Sequence, residues 1–583
     1  MFRIQIPVRH YWKLLSGYLL PQKARVIGLA FLIGGGIVLQ LVHPQILRYF
    51  IDTASAGGAL QNLISAAILF IGIALVQQAV NVASVYFGEN IGWTATNAMR
   101  GDLASHCLKL DMSFHKSHTA GELIERIDGD VNSLANFFSN FVVVLMSNLL
   151  LLIGILGLLY MEDWRVGLGL TGFVAIALVT IQKIRSFAVP FWTKVRQMSA
   201  RFYGFLGEHL EGTEDTRSNG ATPYVMRRFL LLLREWVPAR VKAAMGSAAM
   251  WISTLLVFTI GNAITFVLCA YLWKSGKLTL GAIYMIFYYT ELLIKPIERI
   301  RTQLEDLQKA DASIHRIREL FAVTSKIKDG DRELPEGALS VELDSVSFGY
   351  IEEEQILRRV SFQLEAGRTL AILGRTGSGK TTIARLLIRF YEAQQGTVRL
   401  GDVPVTDVRL HDLRRRIGAV TQDVQIFQGT VRDNLTFFDR SISDSAMIDI
   451  IREVGLGDWF SALPDGLDSS LDTGGSGLSA GEAQLLALAR VFLTDPGLVI
   501  LDEASSRLDP ATESQLEKAI SKLLQGRTAI LIAHRLTTVQ RADQIVIMER
   551  GQVLEYGDKE WLMRDHTSHY YQLLVAGKME VTA

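Results

Sequence analysis

Residues 370–381 read Leu370-Ala371-Ile372-Leu373-Gly374-Arg375-Thr376-Gly377-Ser378-Gly379-Lys380-Thr381, and this stretch decides the fold of the second half of the chain. Four consecutive apolar residues suit a strand buried on both faces. Gly374, Gly377 and Gly379, with Arg375, Thr376 and Ser378 between them, let backbone N–H groups curl around a phosphate. Lys380 then reaches the β- and γ-phosphates, and Thr381 offers a hydroxyl to Mg²⁺. Thr382 opens a helix to Tyr391 whose positive N-terminus faces the anion. A strand, a glycine-rich loop and a helix in that order predict a nucleotide-binding α/β domain.

Two further strands belong to the same site. Leu498-Val499-Ile500-Leu501 is wholly apolar and ends in Asp502-Glu503. Strand ends in a parallel sheet aim polar residues at the ligand crevice. Asp502 is expected at Mg²⁺, and Glu503 is expected to polarise the attacking water. The strand Thr528 to Ala533 ends in His534, placed to approach the γ-phosphate. Phosphoryl transfer depends on positioning and charge neutralisation more than on covalent help. The charged segment Lys326 to Pro335 reads as a linker, so the domains are expected at 1–324 and 325–583.

The first half has another character. Apolar runs recur near Val26–Leu47, Leu60–Phe87, Phe137–Tyr160, Val166–Ile181, Ala249–Trp273 and Leu278–Ile297. About 20 residues span roughly 30 Å of hydrocarbon, and only helices satisfy their own backbone there. Lys183 and Arg185 are expected to close the fourth run early. Arg3, Arg9, Lys13, Lys23 and Arg25 precede the first run, and Arg100, Lys109, Lys116 and Arg126 follow the second. The loop Asp52–Ala59 carries no Lys or Arg. The positive-inside rule therefore puts both termini and both long connectors in the cytoplasm, despite Lys274 and Lys277 outside. The connectors around Phe114–Asp130 and Ser199–Phe229 suit helices that continue beyond the membrane and bend to meet a cytoplasmic domain. The first apolar run has no small-residue cleavage pattern and reads as a retained span.

Composition narrows the function. Lys plus Arg and Asp plus Glu are both 59, so no basic excess draws nucleic acid. Two cysteines, Cys107 and Cys269, give neither a disulfide framework nor a C-x-x-C metal site.

With these motifs in order, the chain resembles an ABC transporter half-molecule with the exporter fold, over nearly its whole length. The resemblance implies a multi-domain protein: an all-α six-helix transmembrane domain, then an α/β P-loop nucleotide-binding domain. It implies ATP and Mg²⁺ as cofactors, with ATP hydrolysis coupled to transport. Tyr350 resembles the aromatic that stacks on adenine. Gln422 resembles the glutamine that touches Mg²⁺ beside Thr381 and Asp502. Ser506-Arg507-Leu508-Asp509 resembles the loop after the second carboxylate, and His534 the switch histidine. Phe114–Asp130 resembles the first intracellular loop, with a coupling helix before Thr119-Ala120-Gly121-Glu122.

The family signature Leu-Ser-Gly-Gly-Gln reads Leu478-Ser479-Ala480-Gly481-Glu482 here. Ser479 and Gly481, the residues the family uses on the γ-phosphate, remain. Glu482 brings a charge that is unfavourable if it faces the triphosphate. The family completes each ATP site with a second copy's signature. A variant signature beside an intact Lys380, Asp502, Glu503 and His534 implies half of a heterodimer, with a homodimer as the alternative. The expected substrate is an amphipathic small molecule, a lipid or a peptide, exported across a bacterial inner membrane. The alternatives are import of a metal-siderophore-like compound on the same fold and a non-transport regulatory ATPase. Glu291 and Lys295, four residues apart in the sixth span, read equally as a functional pair or as mutual neutralisation.

Overall fold

The computed structural model describes residues 16–137, 144–351, 354–421, 424–472, 478–502, 510–533 and 539–580. The chain divides into two compact units: Met1–Leu108 with Ala120–Val323, and Lys109–Thr119 with Thr324–Ala583.

The first unit is helical. Its helices are α1 (Lys23–Ser55) and α2 (Leu60–Lys109). After α3 (Met112–Ser117), which belongs to the second unit, come α4 (Met146–Glu162), α5 (Trp164–Glu211), α6 (Thr213–Ser218), α7 (Thr222–Lys274), α8 (Leu280–Leu292) and α9 (Ile294–Ala322). Five stretches are long and apolar enough to cross a membrane: Ser16–Ser55, Leu60–Lys109, Trp164–Glu211, Thr222–Lys274 and Leu280–Arg299. The expected third span is described from Met146 to Glu162, and 138–143 lie outside the described residues. The protein is a multi-pass integral membrane protein.

Helices α2, α5 and α7 have 50, 48 and 53 residues. At 1.5 Å per residue each is more than 70 Å long, over twice the hydrocarbon thickness. The expected closure at Lys183 is a boundary of hydropathy and not of the helix, which runs on to Glu211. Lys, Arg and Gln end a lipid-facing run but are strong helix formers, so they do not end a helix.

The membrane core gathers Ile155, Leu159, Leu170, Ala177, Leu272, Ala282 and Ile286. Gly261 of α7 lets the helices approach, since a Cβ there would collide with the Phe173 ring. Tyr289 is fully buried and donates to the Leu41 carbonyl at 2.6 Å, so it packs inward, whereas Tyr284 is exposed. Between α8 and α9 the helix is interrupted at Leu293. Pro296 has no N–H, and its ring crowds the carbonyl of Leu292, four residues earlier. In the extension beyond the membrane, Arg316 grips the buried Asp130 through two N–H groups, Nε meeting Oδ2 at 2.8 Å.

The second unit is α/β. An antiparallel sheet of order β2-β1-β4-β5 comprises β1 (Val341–Phe348), β2 (Leu357–Leu364), β4 (Gln395–Leu400) and β5 (Val403–Pro404). The larger sheet contains β3 (Thr369–Gly374), β6 (Ile417–Val420), β7 (Leu498–Asp502), β8 (Thr528–Ile532), β9 (Gln544–Glu549) and β10 (Gln552–Asp558). Its order is β10-β9-β3-β8-β7-β6, parallel apart from the edge strand β10. Strands β3, β7 and β8 are buried almost throughout, as parallel strands covered on both faces must be. Helix α10 (Lys380–Leu387) follows β3, and α11 (Ala480–Thr494) and α12 (Pro510–Leu524) pack on each other.

Candidate nucleotide site

The register of the parallel sheet assembles the site. Ile372 of β3 lies opposite Ile532 of β8, and Ile532 lies opposite Asp502 of β7. All three strands therefore end at the same edge, where the loop 374–379 begins. Gly374, Gly377 and Gly379 take φ of +150°, +83° and +103°. A Cβ on Gly374 would strike the Met548 carbonyl, and one on Gly379 would come within 2.6 Å of Leu357 Cδ2. The loop thus needs glycine both for its backbone and for the close approach of neighbouring strands.

Lys380 is buried at the start of α10, and its Nζ donates to the carbonyls of Gly374 at 2.7 Å and Arg375 at 3.1 Å. The ammonium is thereby held across the loop. Thr381 Oγ1 donates to Asp502 Oδ2 at 3.0 Å, which joins the two residues expected at Mg²⁺. Three features suit ATP with Mg²⁺: a loop that excludes Cβ atoms, a hard oxygen pair, and the buried Ser378 Oγ, which has no hydrogen-bond partner among the described residues. Thr382 is buried one position further on. Glu503, Gln422 and His534 lie outside the described residues.

Tyr350 follows β1 and is tied to the same helix. Its hydroxyl lies 3.2 Å from Thr382 Oγ1 and accepts from Arg385 Nη1 at 2.9 Å. The Tyr391 ring meets it edge-on at 5.1 Å, and Lys116 Nζ sits 3.7 Å from its ring centroid. Lys116 comes from α3, some 230 positions earlier in the chain. Sequence reading named the helix before Thr119-Ala120-Gly121-Glu122 but missed this cation–π contact, because nothing local to Tyr350 signals it. A cavity of about 520 Å³ beside the ring is lined by Lys116, Ser117, Tyr350 and Tyr391 among others.

Asp111 fixes α3 in this unit. Its carboxylate caps the helix, accepting from Ser113 N at 3.1 Å and Phe114 N at 3.2 Å, and it accepts from Lys326 N at 2.7 Å. Partial burial pushes this acid up, but bonds from the Ser113 hydroxyl and from the backbone of Lys326, Phe114 and Ser113 outweigh it and hold the acid below the usual carboxylate value. A depressed folded value contributes stability that is present above the unfolded pKa and lost as pH falls through the folded one. Asp111→Asn should therefore cost about 1 kcal/mol at neutral pH. Melting curves of both proteins from pH 7 to pH 3 should diverge near neutrality and converge below about pH 4. A gap that is constant across that range would contradict the assignment.

Ser479 is the N-cap of α11, and the variant Glu482 has a structural role. Ser479 N donates to Glu482 Oε2 at 2.7 Å, and Glu482 N donates to Ser479 Oγ at 3.2 Å. This reciprocal capping box turns the carboxylate back onto its own helix start. The expected clash of Glu482 with a triphosphate therefore loses its basis, and with it the main reason for expecting a different partner chain. Gly481 is buried in the first turn. Among the described residues no hydrogen bond links Ser479 or Gly481 to the loop 374–379. Further along α11, Arg490 donates to the carbonyls of Asn434 at 2.6 Å and Gln425 at 3.0 Å, and burial lowers its guanidinium to about 10. It ties the signature helix to the segment after Gln422. The sequence signal was a lone arginine in the apolar run Leu485–Val491.

Comparison with known proteins agrees with this architecture. The model of the ABC transporter family matches residues 357–506, and that of the ABC transporter transmembrane region matches 26–297. An uncharacterized ABC transporter ATP-binding protein of Bacillus subtilis (strain 168) is 31% identical over 560 residues, covering 95% of this chain and 92% of its own length. An ATP-dependent lipid A-core flippase of Idiomarina loihiensis is 28% identical and is covered over 98% of both chains. A solved bacterial Atm1-family ABC exporter with ATP bound superposes with a TM-score of 0.79 at 25% identity, covering 95% of this chain and 98% of that one. An all-α multi-span membrane domain, followed by a cytoplasmic α/β domain that uses ATP and Mg²⁺ and hydrolyses ATP, places this chain in the ABC transporter family.

Proposed function

We infer that two identical copies of this chain form an exporter that moves a lipid or another amphipathic compound out of the cytoplasmic side of a bacterial inner membrane. The full-length likeness to a protein named as a lipid A-core flippase carries this reading, and the likeness to an exporter supports the direction. The Ser479–Glu482 capping box supports identical copies, because it leaves Ser479 and Gly481 in a signature whose added charge is engaged within its own helix.

The roles follow the family resemblance, and the described loop, Lys380, Thr381 and Asp502 support them. The loop Gly374–Gly379 and Lys380 hold the β- and γ-phosphates, and Tyr350 carries the adenine. Thr381 and Asp502, with Gln422, hold Mg²⁺, which when bound neutralises phosphate charge. Glu503 polarises the attacking water, and His534 orients it toward the γ-phosphate. Ser479 and Gly481 of the second copy close over the same phosphates. The helical unit within 1–324 forms the transport path, and 325–583, joined by Lys109–Thr119, the ATPase. Nucleotide drives the conformational change only through its different affinity for the open and closed pairs.

The test is co-expression of two differently tagged copies, followed by reconstitution with a fluorescent lipid. Copies should co-purify, and lipid should cross the bilayer with ATP. Glu503→Gln should retain ATP binding while turnover falls by a factor on the order of 10² or more. An inert chain that hydrolyses ATP only beside a different half-transporter would establish the heterodimer instead.

A further inference from the structure

Glu291 is an acidic residue in the membrane core that the nucleotide chemistry does not use. It lies eleven residues into α8, and Asn262 lies twelve residues before the end of α7. At 1.5 Å per residue both are about 17 Å from the outer ends of their helices, near the middle of the bilayer. Asn262 Nδ2 donates to Glu291 Oε1 at 2.6 Å, which fixes one carboxylate oxygen. Glu291 as a whole is exposed in the single chain.

Mutual neutralisation with Lys295 is not what the geometry shows. The interruption at Leu293 separates the two residues, both side chains are exposed, and they form no ion pair among the described residues. Charged groups at this depth cost several kcal/mol against lipid, so Glu291 is suited to meet water or a polar partner rather than hydrocarbon. One helical turn toward the outside, Phe266 and Phe287 stack at 5.1 Å with 29° between their planes. Phe266 is four residues after Asn262 and Phe287 four before Glu291, so the aromatic pair and the amide–carboxylate pair share one face of α7 and α8. Phe266 is half exposed, at 53%. An anchored carboxylate beside an accessible aromatic surface is the complement of a cation attached to an apolar body.

We propose that Glu291, held by Asn262 and flanked by Phe266 and Phe287, is a substrate site for amphipathic compounds bearing a cationic nitrogen or phosphonium centre. The inference rests on the export reading and names the charge of the group exported. Binding is measured without ATP on the full chain in nanodiscs, corrected against empty nanodiscs. The probes are tetraphenylphosphonium, dodecyltrimethylammonium and the neutral dodecyl maltoside.

Wild type should prefer the dodecyl cation to the neutral chain by about tenfold. Glu291→Gln should weaken tetraphenylphosphonium by about tenfold, and Glu291→Asp should restore most of the affinity. Equal affinity of wild type for cationic and neutral chains overturns the proposal whether or not any variant folds. So does a folded Glu291→Gln protein that binds the phosphonium as wild type does. A chain that moves lipid with ATP yet shows no preference for cations would refute this site and leave the export reading standing. Preference for cations without ATP-driven movement would do the reverse.

Discussion

Lys380→Ala should abolish nucleotide binding at millimolar ATP while leaving the fold intact. The ammonium makes two charge-assisted bonds to loop carbonyls, at 2.7 and 3.1 Å, at the start of the helix that follows the glycine-rich loop. Its loss removes the cation from the loop and leaves the Gly374 and Arg375 carbonyls without its donation. Two charge-assisted bonds from the ammonium to phosphate, at about 1.5–3 kcal/mol each, would be lost, so a loss of affinity of at least about a hundredfold is expected. Thermal shift separates this from misfolding. A ligand that binds the native state raises the melting temperature through RT ln(1 + [L]/Kd), so wild type should shift with ATP and the variant should not. Without nucleotide the variant should melt a few degrees lower, for the two loop carbonyls it leaves without a donor, but still cooperatively. A retained ATP shift in the variant would remove Lys380 from the site.

Asp502→Asn should separate binding from turnover. The carboxylate and the Thr381 hydroxyl meet at 3.0 Å at the end of β7, and the amide keeps the shape of the acid while losing its charge. Mg²⁺ is a hard cation that prefers carboxylate and hydroxyl oxygen, and a neutral amide is a poorer ligand for it. ATP should still bind through the loop and Lys380. Turnover should fall by about 10²-fold or more, and the Mg²⁺ concentration for half-maximal activity should rise. Unchanged Mg²⁺ dependence would place the metal elsewhere.

The strands and the phosphate loop were legible because their signals are local. Leu370–Leu373 and Leu498–Leu501 are apolar runs ending in the residues they present, and the register brings those ends together. The spans were legible because hydrocarbon demands about 20 apolar residues. The lengths of α2, α5 and α7 were not, since hydropathy records lipid and not helix. The capping box was written in the sequence as Ser479-x-x-Glu482, but the comparison with the family signature drew attention to the charge rather than to its partner. Lys116 on Tyr350 and Arg316 on Asp130 join residues more than 180 positions apart, and no short-range pattern announces them.

The placement of Lys109–Thr119 with Thr324–Ala583 makes the catalytic half non-contiguous in the gene. The polypeptide enters that half for eleven residues, leaves, and returns some 200 residues later. A fragment started at Thr324 would lack Asp111 against Lys326, Met112 against Tyr391 and Lys116 against Tyr350. Such a fragment is an ATPase with one stitch pulled out, uncovering aromatic surface at Tyr350 and Tyr391. Its nucleotide affinity would describe a different object from the same domain in the whole chain.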